Sequence, residues 1–432
     1  MRVLVTGAQG FIGGHVAAAL AAAGHDVVPA VRTRAQAAAR PGAVVCDFAR
    51  DLTAEAWLPR LDGIDAVVNC AGILREEKGG AGRGTFDAVH RDAPAALFAA
   101  CARKGVRKVV QVSALGDPAD TAFIRSKHAG DDRLMALDLD WVVVRPSLVW
   151  SPAGSYGGTS LIRALAALPL VTPLAGGGQQ PIQPITAEDL GRVVAGLVGN
   201  PDARRLVLEA VGPETVTFAA YVAALRAWMG YPPARPLALP PSLVRLAAAV
   251  ADRTTRGPLG ATMATMLDRG NVGRPGAYAE LCAASGHRPA RIAQALAATP
   301  AQVQDRWHAR LYFLRPLLRV TLALVWIASG LVGFALPVAE AQAMMLDLGV
   351  EGPFALTLAH GASGIDVALG LALLLRFRVV AVAWLMLISV AAYTVFLGVA
   401  APDLWLHPYG PLLKNLVLVP ALLVMAALED QR

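Results

Sequence analysis

Three glycines, Gly7, Gly10 and Gly13, stand in TGAQGFIG with the spacing GxxGxxG. The apolar run RVLVT precedes them and an Ala-rich run follows. At a strand-turn-helix junction this pattern suits a dinucleotide pyrophosphate. The first glycine permits a sharp turn, the second lets backbone approach the phosphates, and the third lets the helix pack on the strand. The helix N-terminus then presents its partial positive charge. The next apolar run, DVVPAVRTR, ends in Arg32, with Arg34 close by. A carboxylate there would suit the ribose 2′-hydroxyl of NAD(H). Arginine suits a 2′-phosphate, which favours NADP(H) over NAD(H); the alternative is an ordinary surface arginine at a strand end. A second group of chemically capable residues, His360, Asp366 and Lys414, lies within long apolar runs. Polar groups in such runs face a bundle interior. Asp366 paired with Lys414, or bridged by His360, would make a quinone, lipid or proton site. The alternative is structural glue between helices, with Lys414 reaching the interface. The cysteines Cys46, Cys70, Cys101 and Cys282 are scattered, with no CxxC. They are expected to be buried and inert, with no metal site.

These residues need elements to position them. Residues 1–300 alternate between short β-rich runs (VLVTG, DVVPAV, AVVCDF, IDAVVNCAG, KVVQVSA, WVVVRPS) and Ala-rich helical runs such as HVAAALAAAG and APAALFAACARKG. Near-continuous apolar strands alternating with helices predict an α/β fold with a doubly wound parallel sheet. Further on, LEAVGPETVTFAAYVAALRAWMG reads as a strand and a helix capped by Thr217, and PPARPLALPPSL as a Pro-rich turn into another helix. From Leu317 the texture changes to four apolar stretches, each near the roughly 20 residues that cross a bilayer. Residues 301–316, including WHARLYF from Trp307, read as an amphipathic linker, and residues 317–432 as a four-helix transmembrane domain.

Arg310, Arg315 and Arg319 precede the first span, and Arg376 and Arg378 separate the second from the third. The connector after span one carries Glu340, Asp347 and Glu351 with no basic residue. Positive-inside then puts both termini in the cytoplasm. The chain opens without a signal-peptide pattern, in keeping with a multi-pass inner-membrane protein whose N-terminal domain is cytoplasmic. Composition agrees. Hydrophobic residues make up 55% of the 432 residues and charged residues 16%, against about 25% charged in a soluble protein. The net charge of +7 has no Lys/Arg block that would indicate nucleic acid.

Taken in order, TGAQGFIG, CDF, NCAGI, VSA, SK and RPSLVWSP resemble the short-chain dehydrogenase/reductase superfamily in its extended and atypical branches. The chain looks most like the atypical group that contains the nicotinamide-binding accessory subunit of mitochondrial complex I. The resemblance implies a Rossmann fold over residues 1–300. It also implies roles. Gly7, Gly10 and Gly13 would cradle the pyrophosphate, with Gln9, Phe11 and Ile12 adding backbone amides. Asp47 and Phe48 would lie beside the adenine, and Cys70, Ala71 and Gly72 would line the cleft. Ser113 would be the active-site hydroxyl, Lys127 would bond the nicotinamide ribose, and Pro146 and Ser147 would approach the carboxamide.

The departure is Phe123, four residues before Lys127. Active members carry there the tyrosine that serves as general acid, and phenylalanine has no proton to give. His128 and Tyr156 are the nearby alternatives. His128 is turned about 100° from Lys127 on the helix, and Tyr156 sits in the loop SPAGSYGG, where it is either a catalytic donor or an ordinary loop tyrosine.

The spans resemble DoxX-like membrane domains through HGASGIDVALGL and GPLLKNLVLVPALL. Two functions follow as expectations. One is a membrane-anchored NADP(H)-dependent oxidoreductase acting on a quinone-like or lipid-like substrate. The other is a non-catalytic nucleotide-binding scaffold or sensor that docks a membrane protein partner. A sugar epimerase or dehydratase ranks third, since that chemistry also leans on the missing tyrosine.

Overall fold

A computed structural model describes residues 1–76, 84–254, 260–352 and 354–429. The chain divides into two units, Met1–Ala309 and Arg310–Arg432.

The first unit is built on seven parallel strands. β1 (Arg2–Thr6), β2 (Asp26–Val31), β3 (Val44–Val45), β4 (Ala66–Asn69), β5 (Lys108–Val112) and β6 (Asp140–Pro146) are joined by the strand Leu206–Ala210. Across the sheet the order runs Leu206–Ala210, β6, β5, β4, β1, β2, β3. β1 pairs with β2 on one side, Arg2 opposite Asp26, and with β4 on the other, Val3 opposite Ala66. The chain reverses direction across the sheet at β1, so a crevice opens beyond the C-terminal ends of β1 and β4. Valines dominate the strands because both faces are covered. Val3, Val5, Val16 and Leu190 pack on one side of the sheet. Leu4, Trp57, Leu97 and Phe98 pack on the other.

Five helices position the crevice: α1 (Phe11–Ala22), α2 (Arg34–Ala38), α3 (Ala54–Trp57), α4 (Ala93–Lys104) and α5 (Ala122–Met135). Thr121 caps α5 by accepting from the Ile124 N–H at 3.2 Å. Thr217 caps Phe218–Trp228 in the same way, as its spacing predicts. Two expectations change. AVVCDF shrinks to the two residues of β3, because after Val45 the chain turns to let Asp51 accept the Asp47 N–H. PPARPLALPPSL is not only a turn, since Arg235–Leu239 forms a strand parallel to Val171–Ala175. Proline is tolerated there because the pair forms a separate two-stranded ribbon with open edges.

Among the described residues four helices are long and apolar enough to cross a membrane: Val303–Ala335, Phe354–Leu374, Val379–Ala400 and Pro411–Glu429. The first begins within the predicted amphipathic linker and passes through Pro316 without a break. The connector after it holds a further helix, Val338–Asp347. Gly361 faces open space and Gly364 meets Phe334 at 3.7 Å, whereas a Cβ on Gly330 would lie 2.4 Å from the Ser363 carbonyl. The tight crossing is therefore made by Gly330 and Ser363.

The ion pairs expected for Asp366 do not form among the described residues. Its side chain meets Ser329, and its Oδ1 is buried without a hydrogen-bond partner. The His360 ring tilts against Phe334. Lys414 is exposed, while its neighbour Asn415 donates to Thr394 Oγ1 at 3.0 Å. The ionic contact that does form is one the sequence hides. Glu429 accepts from Arg315 at 3.0 and 2.9 Å and from Arg319 at 2.9 Å, and Arg376 lies 4.0 Å away. Three arginines flanking different spans thus converge on the end of the last one. Glu429→Gln is expected to destabilise the purified protein by about 2 kcal/mol, between the values for exposed and buried pairs. A lowered Tm in one fixed detergent would show it, and an unchanged Tm would mean that the cluster is incidental.

Candidate functional site

The crevice is floored by a buried polar network. Thr6 Oγ1 donates to Asn69 Oδ1, and Asn69 Nδ2 donates to Gln111 Oε1 at 2.7 Å. The Asn69 carbonyl oxygen also accepts the Ala71 N–H at 3.3 Å, which fixes the loop leaving β4. All three side chains are fully buried, so their mutual bonds replace part of the water they lost, and Gln111 Nε2 has no hydrogen-bond partner among the described residues.

The glycine turn forms as the spacing requires. Gly7 adopts φ 65°, a conformation that disfavours side chains. A Cβ on Gly13 would sit 2.1 Å from the Gly7 carbonyl oxygen. Gly10 caps α1 with no side-chain hydrogen bond, so the first-turn amides are left for a ligand. Such a cradle fits the pyrophosphate of a nicotinamide dinucleotide. Arg32 is exposed at the end of β2. Its N–H is held by Gln36 Oε1 at 3.1 Å beside the capping box that opens α2. Asp47 closes its own turn, accepting the Ala49 N–H at 3.0 Å, and the Phe48 ring stands edge-on to Trp57. Burial pushes the Cys70 thiol up to about 12, as it does Cys46 and Cys101, so none is a nucleophile at neutral pH.

Lys127 reaches the crevice from α5. Its ammonium donates to the Ala71 carbonyl at 3.0 Å and the Val112 carbonyl at 3.2 Å. Gly72 packs against it, since a Cβ there would lie 2.9 Å from Nζ. Two of the three ammonium protons are thus engaged, and one remains for a ligand hydroxyl. Burial lowers the Lys127 pKa to about 8. The charged form is present below that value and lost above it. NADPH affinity is therefore expected to fall at least about tenfold as pH rises from neutral past the Lys127 pKa, the worth of one charge-assisted hydrogen bond. Titration of Lys127→Met should give a flat profile; an equal fall in that variant would assign the effect elsewhere.

The Ser113 proton is engaged by a carboxylate on α5. The serine hydroxyl donates to Asp131 Oδ2 at 2.8 Å, and the same oxygen accepts from Arg145 at 3.1 and 3.0 Å. Asp131 is fully buried, and desolvation raises its carboxyl above the usual range. Pro146 ends β6, and Ser147 bonds the Gln183 carbonyl. His128 Nε2 bonds the Ala114 carbonyl at 3.0 Å, and Tyr156 is 70% exposed.

The place of the missing tyrosine is filled by a packed cluster. Phe123 is 7% exposed. Its ring stands edge-on to Phe86 at 6.0 Å and to His90 at 5.4 Å. His90 lies in a π-helical turn, Ala88–Asp92, that runs straight into α4. Both ring nitrogens are spoken for. The Ile73 N–H donates to Nε2 at 3.0 Å. Ser126 Oγ donates to the Phe123 carbonyl, so it accepts from His90 Nδ1 at 2.9 Å. The network thereby assigns the Nδ1–H tautomer. Burial first, and Lys127 second, depress the His90 pKa to about 2, so the ring stays neutral. His90 and Asp131 escape sequence reading because each is defined by partners from other elements. Beyond β5 and Leu206–Ala210 lies a hollow of about 290 Å³ lined by Asp117, Glu209, Arg269 and Asn271. Asn271 Oδ1 is buried without a hydrogen-bond partner among the described residues.

Residues 7–160 match an NAD(P)H-binding family, and residues 323–423 match the DoxX-like family. An epimerase family protein of Mycobacterium bovis is 30% identical over 274 residues, covering 57% of this chain and 84% of that protein. The chain belongs to the epimerase family. This epimerase-family chain joins an NAD(P)-binding Rossmann domain to a DoxX-like membrane region. A ceramide reductase of Caulobacter vibrioides is 29% identical over 184 residues, covering 40% of this chain and 54% of that protein. The chain spans only 23% of the length of an uncharacterized Mycobacterium bovis protein to which it is 26% identical. The fold is shared with a nucleoside-diphosphate-sugar epimerase from Staphylococcus aureus, at TM-score 0.52 and 18% identity over 68% of this chain and 99% of that one.

Proposed function

We propose that the protein is a membrane-anchored, NADPH-preferring oxidoreductase whose substrate is an amphiphile, lipid-like or quinone-like. The observation that carries this reading is the crevice itself: an open glycine cradle, an arginine at the end of β2 and a buried lysine ammonium with one proton to spare. Gly7, Gly10 and Gly13 would hold the pyrophosphate, Arg32 the 2′-phosphate and Lys127 the nicotinamide ribose. When bound, the nicotinamide supplies a hydride. The protein's part is to orient the acceptor and to exclude water. A ketone would need a proton at its oxygen, which Phe123 cannot give. A quinone that takes the hydride becomes a hydroquinone anion, which can take its proton from solvent after leaving the crevice and needs no protein acid. Ser113 and Tyr156 remain the proposed hydroxyls for substrate contact, Tyr156 by movement of its exposed loop.

The hollow suits the polar end of an amphiphile, since Asp117, Glu209 and Arg269 line it with charged groups. Similarity to a ceramide reductase supports the same substrate class. The four spans would keep the domain on the cytoplasmic side of the inner membrane, with the arginines around Glu429 marking that side.

The packed Phe123–Phe86–His90 cluster favours a second reading, a nucleotide-binding scaffold or sensor that docks a membrane protein. Titration of the detergent-purified full chain with NADPH and NADH, with and without quinones, decides between them. Acceptor-dependent NADPH oxidation is expected. Tight binding with no oxidation over hours, across quinones and long-chain ketones, would establish the scaffold reading. Arg32→Asp is expected to cut the NADPH-over-NADH preference at least about tenfold, the worth of one arginine–phosphate contact. An unchanged ratio would remove Arg32 from the site.

A further inference from the structure

The first unit exposes leucines where a water-facing surface would not place them. Leu170 is 84% exposed and is held at φ 64°, a conformation that ordinarily selects glycine or asparagine. Its carbonyl accepts the Arg235 N–H at 3.2 Å, at the mouth of the ribbon formed by Val171–Ala175 and Arg235–Leu239. The ribbon leads within two residues into the helix Pro241–Thr254. That helix has two apolar sides. Ala248 is fully buried, whereas Leu243 and Leu246 are 50% and 62% exposed on another face, followed by Val250 at 48%. Spacings of three and four residues make these one stripe. Exposed arginines, Arg235, Arg245 and Arg253, border the stripe and the ribbon. The carboxylate nearest to Arg245 is Asp268, at 4.0 Å.

We propose that the exposed stripe of the helix Pro241–Thr254 lies on an anionic lipid surface. Leu243 and Leu246 would enter the boundary between headgroups and acyl chains, with Arg245 and Arg253 on lipid phosphates. A helix apolar on one side and basic on its flank is the form that lies in a membrane interface. Arginine flanks complement lipid phosphates, whereas an apolar protein partner would leave those charges unused. A lipid surface is also the one partner always at hand, because the same chain continues into four membrane-length helices. The inference holds whatever reaction the crevice performs.

The test uses the full chain in nanodiscs of phosphatidylcholine with or without phosphatidylglycerol. An environment-sensitive fluorophore is placed on Leu243→Cys or Leu246→Cys, with Asp202→Cys in an exposed turn as the control and the unsubstituted chain as background. Lipid-borne quenchers should quench both leucine sites about threefold more than the control. Phosphatidylglycerol should enlarge the difference, and Arg245→Gln with Arg253→Gln should cancel that enlargement. Unchanged NADPH binding in each variant reports an intact first unit. Iodide access equal to that of the control, or quenching at only one of the two leucines, would overturn the proposal. So would protection that persists in detergent and grows with protein concentration, which would assign the face to a second copy.

Discussion

Phe123→Tyr is expected to gain NADPH-dependent reduction of long-chain ketones, about 100-fold or more above the unsubstituted chain, the usual worth of a positioned general acid. Position 123 lies one helical turn before Lys127, so the two side chains share a face of α5. The Lys127 ammonium would lower the pKa of a new phenol and hold it ready to donate. The substitution adds one oxygen to a ring already bounded by Phe86 and His90. No protein acceptor competes for the new proton at His90, whose nitrogens are committed to Ile73 and Ser126. NADPH oxidation and mass analysis of the alcohol product give the readout, with quinone reduction as the reference reaction. If the variant binds NADPH normally and reduces no ketone, then no carbonyl is held near position 123, and the scaffold reading gains.

Gly13→Ala is expected to weaken NADPH binding about 100-fold. The added Cβ would stand 2.1 Å from the Gly7 carbonyl oxygen, a backbone atom with no side-chain freedom to yield. Relieving that contact moves the turn or lifts α1 away, and overpacking of this kind costs about 1–3 kcal/mol. The displaced amides also lose their aim at the pyrophosphate. Gly14→Ala is the matched control. Its Cβ would meet the Ala8 carbonyl at an ordinary 3.6 Å, and alanine suits a helix interior better than glycine. Fluorescence titration of both variants measures the contrast. Equal affinity in the two would mean that the cradle does not carry the cofactor.

Much of the scaffold could be read before any coordinates. DVVPAV is β2 residue for residue, because a strand buried on both faces must be apolar along its whole length. Four membrane-length apolar runs are unmistakable because little else needs so many consecutive apolar residues. Short edge elements were less legible. AVVCDF carries the composition of a strand, but an edge position lets the chain leave the ladder after Val45. PARPLAL looks like a turn by its prolines, yet pairs along an open edge where the missing N–H groups are harmless.

The chemistry divides in the same way. The sequence alone determined the cofactor cradle and the absence of the acid, since both depend on residue type within a few positions of one another. The tertiary structure decided the rest. It brought His90 against Phe123, gave the Ser113 proton to Asp131, left Asp366 without its expected partners and gathered three arginines on Glu429. Each of these depends on which distant element arrives at a given point. In a low-dielectric interior the neighbour that arrives fixes protonation and hydrogen bonding more strongly than residue type does.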